Sequence, residues 1–484
     1  MLKNIEALDI IGDADREISG LQYDSRKVTG GEAFVAIKGF NQDGHHYIPK
    51  AFANGARVFF VEDGVEMPDA TVVKVNDTRK TLPVISRIFY NYPDKELKIT
   101  GITGTNGKTT VAYLVHSIFE EAKLKTGLLT TVESFDGIDW RMADRTTPES
   151  LDLYKSFYSM VQSNCKNTVM EVSSHALSLN RVDGIHFTST VFTNLGRDHL
   201  DFHQSQEDYF LAKRKLFENL DRDQQVIINE DDPYSKRIQE ITNGQIYSFS
   251  LNRPISTVFC KQYSLENQGM RITIQTPDEE IQLRTSLLGE FNVNNVLAAV
   301  TVALAQKIET KHIIGGIEKQ KRIKGRCEAY RSPTGFTVYL DYAHTPDALR
   351  NFFHAVRQIE PKNLIVVFGA GGDRDKGKRP LMGQAAESYA DRIILTNDNP
   401  RSEEPTKILN DILAGITDKS KTLILPDRKD AIQLALGMAV EGDIVVIAGK
   451  GHETYQEIGG SRIEFDDREV IRAFFKNQHW DFSG

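Results

Sequence analysis

The chain has 484 residues, of which 40% are hydrophobic and 26% charged, and its formal net charge is −8. That length exceeds one ordinary core, so two to four domains are expected, and the charge offers no global basic field for nucleic acid. No apolar run approaches the ~20 residues of a membrane-spanning helix, and membrane insertion is not expected. Three widely spaced cysteines, Cys165, Cys260 and Cys327, suit a reducing compartment without a disulfide framework. The N-terminus lacks a signal pattern, so a cytoplasmic enzyme, taken as a monomer, is the expectation.

Residues 1–95 read as a small α/β domain. Strands are predicted at Ala33–Lys38 and Val58–Val61, with a helix over His46–Asn54 between them. The polar stretches Tyr23-Asp-Ser-Arg26 and Gly39–His46 fit ordinary turn chemistry as well as ligand contact. Tyr92–Glu96 reads as a linker.

An apolar β-type run, Ile99–Ile102, then enters a glycine turn, followed by Lys108-Thr-Thr110 and a helical pattern. Strand, glycine turn and helix make a phosphate loop. Gly104 and Gly107 let backbone N–H groups turn toward phosphate oxygens, Lys108 suits the β/γ-phosphates, and the Thr109 hydroxyl suits Mg²⁺. The usual spacing has glycine at position 102, where this chain has Ile102, so the loop is a variant.

Further short apolar runs follow at Thr168–Val172, Ser189–Asn194 and Gln225–Asn229, as expected of parallel strands buried on both faces. Ligands of such sheets sit at the C-terminal strand ends. That draws attention to Glu171, Ser173, Ser174, His175, Asn194, Asp198, His199 and Asp201, which are either hard ligands near a Mg²⁺-nucleotide site or simple caps. Glu207–Leu220 reads as one helix in which Tyr209, Lys213, Leu216, Phe217 and Leu220 share a face. Lys213 interrupts that apolar stripe, so it either snorkels or loses its charge, and a neutral amine can take up CO₂ as a carbamate.

Residues 332–484 read as a second strand–helix alternation, with strands at Phe336–Asp341, Leu364–Phe368, Ile393–Thr396 and Asp443–Ala448 and helices over 405–415 and 428–440. Polar loops follow the strands: Asp341-Tyr-Ala-His-Thr-Pro346, Gly369–Lys376, Asp398-Asn-Pro-Arg401 and Gly449-Lys-Gly-His-Glu453. Gly369-Ala-Gly-Gly lacks the six-residue glycine fingerprint, which excludes a nicotinamide or flavin site. Arg374 and Arg401 are forks suited to a carboxylate.

Taken together, Gly104-Thr-Asn-Gly-Lys-Thr109, Thr146-Thr-Pro-Glu149, Glu171-Val-Ser-Ser-His175, Thr193-Asn-Leu195 with Asp198-His-Leu-Asp201, Gly289-Glu-Phe-Asn-Val-Asn294, Gly325-Arg326 and Asp341–Pro346 occur in an order that resembles the Mur ligases. These are the ATP-dependent amino-acid ligases of peptidoglycan synthesis. The resemblance runs from Asp24-Ser-Arg26 to Glu453 and is strongest to members that add the third peptide residue.

The resemblance implies an α/β fold of three domains: 1–95 for the uridine nucleotide substrate, 96–331 with a central P-loop-type parallel sheet for ATP, and 332–484 as a C-terminal Rossmann-like domain. It implies ATP contacts from Gly104, Thr105, Asn106, Gly107, Lys108, Thr109, Thr110, Asn292, Arg326 and Asp341. Tyr23, Ser25, Phe40, Asn41, Gln42, Thr146, Thr147, Ser173 and Arg181 would hold the UDP-linked substrate. Thr109, Glu171 and His199 would neighbour Mg²⁺, and Lys213 falls on the family's carbamylated lysine. Lys108, Lys213, His199, Glu171 and His344 are the implied catalytic set.

Asp398-Asn399-Pro400-Arg401 resembles the signature of members that add meso-diaminopimelate, with Arg374, Gly449 and Glu453 completing the amino-acid site. Arg401 and Arg374 suit the far carboxylate of that substrate, and Glu453 and Asp398 suit its ammonium. Such a site rejects lysine by leaving buried charges unpaired. Arg145 and Leu179 depart from the family pattern beside the peptide-substrate residues. The expected reaction joins meso-diaminopimelate to UDP-MurNAc-L-Ala-D-Glu through an acyl phosphate. The alternatives are a lysine-adding ligase, a folylpolyglutamate-synthetase-like ligase, and a P-loop ATPase that makes no amide.

Overall fold

The computed structural model describes residues 2, 5–39, 42–65, 67–266 and 269–478. Phe40 and Asn41, expected at the uridine substrate, lie outside the described residues. The chain forms two compact units, Met1–Thr103 with Leu124–Thr190, and Gly104–Lys123 with Val191–Gly484.

In the first unit, a five-stranded sheet runs in the order Ala7–Ile11, Thr71–Val75, Val58–Val61, Glu32–Val35, Gly20–Gln22. Only its first pair is antiparallel. Apolar side chains leave both faces of the sheet, one set packing around Val35, Phe60 and Leu82 and the other around Phe34, Phe59 and Ala51. The helix expected over 46–54 begins as a 3-10 turn, Gly44–Tyr47, and is α-helical only over Ile48–Ala53. Pro49 at its start suits a first turn, where no amide donor is needed.

The segment read as a linker is a packed turn. Tyr92 is left-handed (φ 55°), Asp94 is fully buried, and Arg87 holds Asp94 through two hydrogen bonds of 3.0 and 2.7 Å. Beyond it, Asn167–Glu171 lies parallel to both Lys98–Thr103 and Thr126–Leu129. Two short antiparallel strands, Glu133–Phe135 and Trp140–Met142, extend this set.

The second unit begins with the helix Lys108–Glu121, which packs against Glu290–Ala305 and Thr310–Lys319. Gln225–Asn229 pairs in parallel with Gln245–Ser250. An antiparallel meander of Val258–Glu266, Gly269–Gln275 and Glu280–Thr285 follows. None of these three strands was legible as part of a parallel core, because polar residues interrupt their apolar runs, on exposed positions in the outer two.

A six-stranded sheet closes the chain, in the order Glu328–Arg331, Thr337–Asp341, Ile444–Ala448, Leu364–Phe368, Arg392–Leu395, Thr422–Ile424. All pairs but the first are parallel. Its central strands are buried throughout, and apolar clusters cover both faces, as in Rossmann-like folds. The α/β class expected from the sequence holds.

Candidate active site

Gly104–Gly107 follow the strand Lys98–Thr103 in sequence, and Lys108, Thr109 and Thr110 open the helix Lys108–Glu121. Gly104 has φ 150° and Gly107 φ 88°. A Cβ at Gly104 would collide with the Thr193 hydroxyl, and one at Gly107 with the Asn295 side chain. These two positions therefore need glycine for both conformation and space. Neighbouring loops hold the turn: Asn106 N–H donates to Asn194 Oδ1 (3.0 Å) and Thr193 Oγ1 donates to Asn106 O (2.6 Å). Thr105 Oγ1 lies 3.2 Å from the Tyr209 hydroxyl.

Lys108 Nζ curls back onto the carbonyls of Gly104 and Thr105, 2.8 Å from each. Arg326 Nη2 donates to Thr109 Oγ1 at 3.0 Å, its guanidinium lies 4.6 Å from the Tyr342 ring centre, and its buried Nε has no partner among the described residues. Asn292, on the next helix, donates to Leu288 O and accepts from Asn295 Nδ2. Asp341 is buried, accepting the N–H groups of Cys327 and Ala343 at 2.7 Å, and burial raises its pKa despite nearby Arg326.

Lys213 lies at the end of an α-helix that spans only Gln206–Arg214, and a 3-10 turn, Lys215–Phe217, follows. The single helix expected to run to Leu220 does not form. Asn219, at φ 56°, turns the chain instead. Lys213 is 1% exposed, so it does not snorkel. Its Nζ donates to Gly104 O at 2.8 Å and lies 4.5 Å from the Tyr209 ring centre. Burial pushes its pKa far below the usual lysine range, Lys108 pushes further, and Asp198 opposes.

Asp198 sits among one lysine and two imidazoles. Its carboxylate lies 3.4 Å from His199 Nε2, 3.7 Å from His344 Nε2 and 3.6 Å from the buried Lys378 Nζ. Burial alone would raise its pKa, but His199, Lys378 and His344 together hold it well below the carboxylate range. His199 takes a left-handed backbone, φ 55°. His344 Nδ1 sits 2.8 Å from Tyr342 O. A carbonyl only accepts, so Nδ1 carries the proton.

Within the first unit, Thr146, Thr147, Glu171, Ser173 and Arg181 gather. Thr147 Oγ1 donates to Glu171 O (2.9 Å) and accepts Ser173 N–H (3.0 Å). The Glu171 carboxylate accepts Thr131 N–H at 2.9 Å, and the Thr131 hydroxyl also reaches Thr146 Oγ1 at 3.0 Å. Arg181 pairs with Glu149 at 2.8 Å, and Arg145, one of the departures from the family pattern, pairs with the same oxygen at 2.9 Å. Leu179, the other departure, is half-buried just past the short helix Ser174–Ser178. Tyr23 donates to Asp152 at 2.5 Å, Ser25 is buried, and Gln42 accepts from Tyr47.

The strand-end loops of the six-stranded sheet bring Arg374, Asp398, Asn399, Pro400, Arg401, Gly449 and Glu453 into one region. Asn399 donates to Glu453 at 2.8 Å, and Lys450 Nζ donates to both Asn399 Oδ1 and Glu453 Oε2 at 3.0 Å. Gly449 has φ 111°, and a Cβ there would collide with Asp398. Lys450 offsets the burial of Asp398 and lowers its pKa. Arg374 is more open, 3.7 Å from Asp201.

Family models for the Mur ligase family catalytic domain, the Mur ligase middle domain and the Mur ligase glutamate ligase domain match residues 17–90, 102–303 and 325–451. A relative from Phocaeicola vulgatus, UDP-N-acetylmuramoyl-L-alanyl-D-glutamate--2,6-diaminopimelate ligase, is 40% identical over 99% of both chains. The chain belongs to the Mur ligase family. A protein of the same name from Caldanaerobacter subterraneus subsp. tengcongensis is 42% identical over 98% of this chain and 97% of its own. A solved structure titled with that ligase name superposes with a TM-score of 0.67 at 31% identity, covering 96% of each chain.

Two buried lysines of this Mur ligase escaped the sequence reading. Lys378 sits in a run, Asp375-Lys-Gly-Lys-Arg379, that reads as solvated. Lys450 lies inside a quoted motif, but nothing local marks it as fully buried. Among the described residues no three His, Cys, Asp or Glu side chains gather as a ready-made metal site. No helix among them is long and apolar enough to cross a membrane.

Proposed function

We propose that this chain joins meso-diaminopimelate to the D-glutamyl side-chain carboxylate of UDP-MurNAc-L-Ala-D-Glu, cleaving ATP to ADP and phosphate through an acyl phosphate. The observation that carries this reading is the match along essentially the whole chain to relatives so named. The division into 1–95, 96–331 and 332–484 is kept, supported by two family models that fall within the first two limits and a third, over 325–451, that starts seven residues before the last. A cytoplasmic monomer is the working state.

The loop fits a nucleotide and its metal. The glycines leave backbone amides free of side-chain bulk, the Thr109 hydroxyl is a hard ligand at a helix start, and Arg326 holds a buried, unpartnered Nε beside it. Thr109, His199 and a carbamate on Lys213 would hold Mg²⁺, with Glu171 assigned by resemblance. Bound Mg²⁺ neutralises phosphoryl charge, which is most of what this transfer requires.

Lys108 leaves its own loop carbonyls to meet the phosphates. Lys213, being buried and driven toward the neutral amine, is suited to take up CO₂. Asp198 keeps His199, His344 and Lys378 oriented by its fixed negative charge. Tyr23, Ser25, Phe40, Asn41, Gln42, Thr146, Thr147, Ser173 and Arg181 bind the UDP-linked dipeptide. Arg374, Asp398, Asn399, Pro400, Arg401, Gly449 and Glu453 bind the amino acid.

The test is phosphate release from ATP and Mg²⁺ with the UDP-dipeptide, comparing meso-diaminopimelate, L-lysine and no amino acid. Release only with diaminopimelate supports the reading. Equal release with lysine removes the selectivity argument, and release without acceptors favours a simple ATPase.

A further inference from the structure

Arg401 adopts a left-handed backbone at φ 54°. A residue with a side chain disfavours this conformation, so it must be held by its surroundings. The holder is a hairpin, Tyr455–Ile458 paired antiparallel with Ser461–Glu464. Its turn, Gly459-Gly460, has φ 58° and 79°, the positive pair that a tight two-residue hairpin turn needs.

The first hairpin strand runs along the Asp398–Arg401 loop and joins it by one backbone bridge, Arg401 with Ile458, and by side-chain hydrogen bonds. Gln456 Nε2 donates to Asp398 O at 3.0 Å, and Glu457 N–H donates to Asn399 Oδ1 at 3.0 Å. Arg401 N–H donates to Glu457 O, and Gly459 N–H donates to Arg401 O, both at 2.8 Å. The Glu457 carboxylate then takes Arg401 Nε at 3.1 Å, while Gly372 O takes Nη1 at 2.6 Å. Among the described residues Nη2 has no partner, and the Arg401 side chain keeps 22% of its surface. The guanidinium is planar with donors in a fixed fork. Fixing Nε and Nη1 therefore fixes the direction of Nη2.

We propose that Glu457, presented by this hairpin, is a positioning residue for the acceptor amino acid: it aims Arg401 so that one donor edge faces the substrate's far carboxylate. This rests on the amino-acid site proposed above. Glu457 itself touches no substrate. It completes the guanidinium's contacts and prevents Arg401 from swinging out to solvent, where its selectivity would be lost.

The test is steady-state kinetics of the full chain with Glu457→Ala and Glu457→Gln, varying ATP, UDP-dipeptide and diamino acid in turn. Glu457→Ala is expected to raise the acceptor KM about tenfold, the effect of losing one charge-assisted hydrogen bond. KM for ATP and for the UDP-dipeptide, and kcat, should stay within about twofold. Glu457→Gln keeps an acceptor oxygen for Arg401 Nε–H and should recover most of the loss. An unchanged acceptor KM in Glu457→Ala overturns the inference, whichever diamino acid the wild type uses. So does a parallel fall in all parameters with a lowered melting temperature, which would mark a merely structural residue. A glutamine variant as impaired as alanine also overturns it. The wild-type preference between diaminopimelate and lysine tests the parent reading separately: a lysine-preferring wild type, whose acceptor has no far carboxylate, overturns both, whereas a diaminopimelate-preferring wild type with an unchanged variant overturns the inference alone.

Discussion

Lys108 and Lys213 donate to the same atom. Each Nζ lies 2.8 Å from the carbonyl oxygen of Gly104, although the two lysines are separated by an entire sheet's worth of sequence. One of them is buried, and two ammonium groups sharing one acceptor repel each other. Lys213, with no solvent, is the one driven toward the neutral amine. Lys108 is half-buried at the loop and keeps access to solvent.

Removing CO₂ should therefore remove activity. In degassed, bicarbonate-free buffer near pH 8, turnover is expected to fall about tenfold or more, with recovery on adding bicarbonate. Lys213→Met should lower kcat by roughly 10²–10³. Its stability should equal or exceed the wild type by about 1 kcal/mol, because an apolar chain replaces an amine with no solvent. Urea unfolding of the variant checks the second half, and a clear loss of stability would contradict it.

Lys108→Ala should lower kcat by on the order of 10²–10³ with little effect on folding, since Gly104 O keeps its bond from Lys213. Single-turnover phosphate release separates this from a binding defect.

The largest single stability loss in the six-stranded sheet region should come from Asp467. Arg428 and Asp467 are both fully buried and joined by two bonds of 2.8 Å, and Arg428 also donates to Ala448 O. Asp467→Ala strands a guanidinium in the core, at an expected cost of about 3–5 kcal/mol. A variant within about 1 kcal/mol of wild type would show that water reaches Arg428.

His452 sets an acid limit on stability. Burial first, then Arg326, lowers its pKa from 6.5 to about 3, and its buried Nδ1 has no partner among the described residues. Below pH 6.5 the unfolded chain binds a proton that the native chain refuses, so stability falls as pH drops toward 3. At pH 4 this group contributes about 3 kcal/mol of that loss. His452→Asn should flatten the decline between pH 6.5 and 4 in urea titrations, and an unchanged slope would exclude the effect.

The boundaries of the core strands were legible in the residues. Val58–Val61, Gln225–Asn229 and Leu364–Phe368 appear where unbroken apolar runs placed them. The strand, glycine turn and helix around Gly104–Lys108 were legible too, because an apolar run followed by closely spaced glycines and a helical pattern leaves few other structures open. The meander over 258–285 was not, since half-exposed strands mix polar and apolar residues and resemble loops. The packed turn at Tyr92–Glu96 was missed because a buried aspartate with an arginine partner looks, locally, like a solvated pair.

By itself, then, the sequence determined the family, the α/β class, and which loops carry polar chemistry, all of which depend on local pattern and on motif order. Tertiary structure alone decided which charges lose their water. Lys213 meets Gly104 across 109 positions, Lys450 meets Asn399 across 51, and Arg401 is held by Glu457 across 56. Burial and partner choice are properties of the packed chain. A lysine on an apolar stripe states only that solvent or a partner must be found, and the fold settles which.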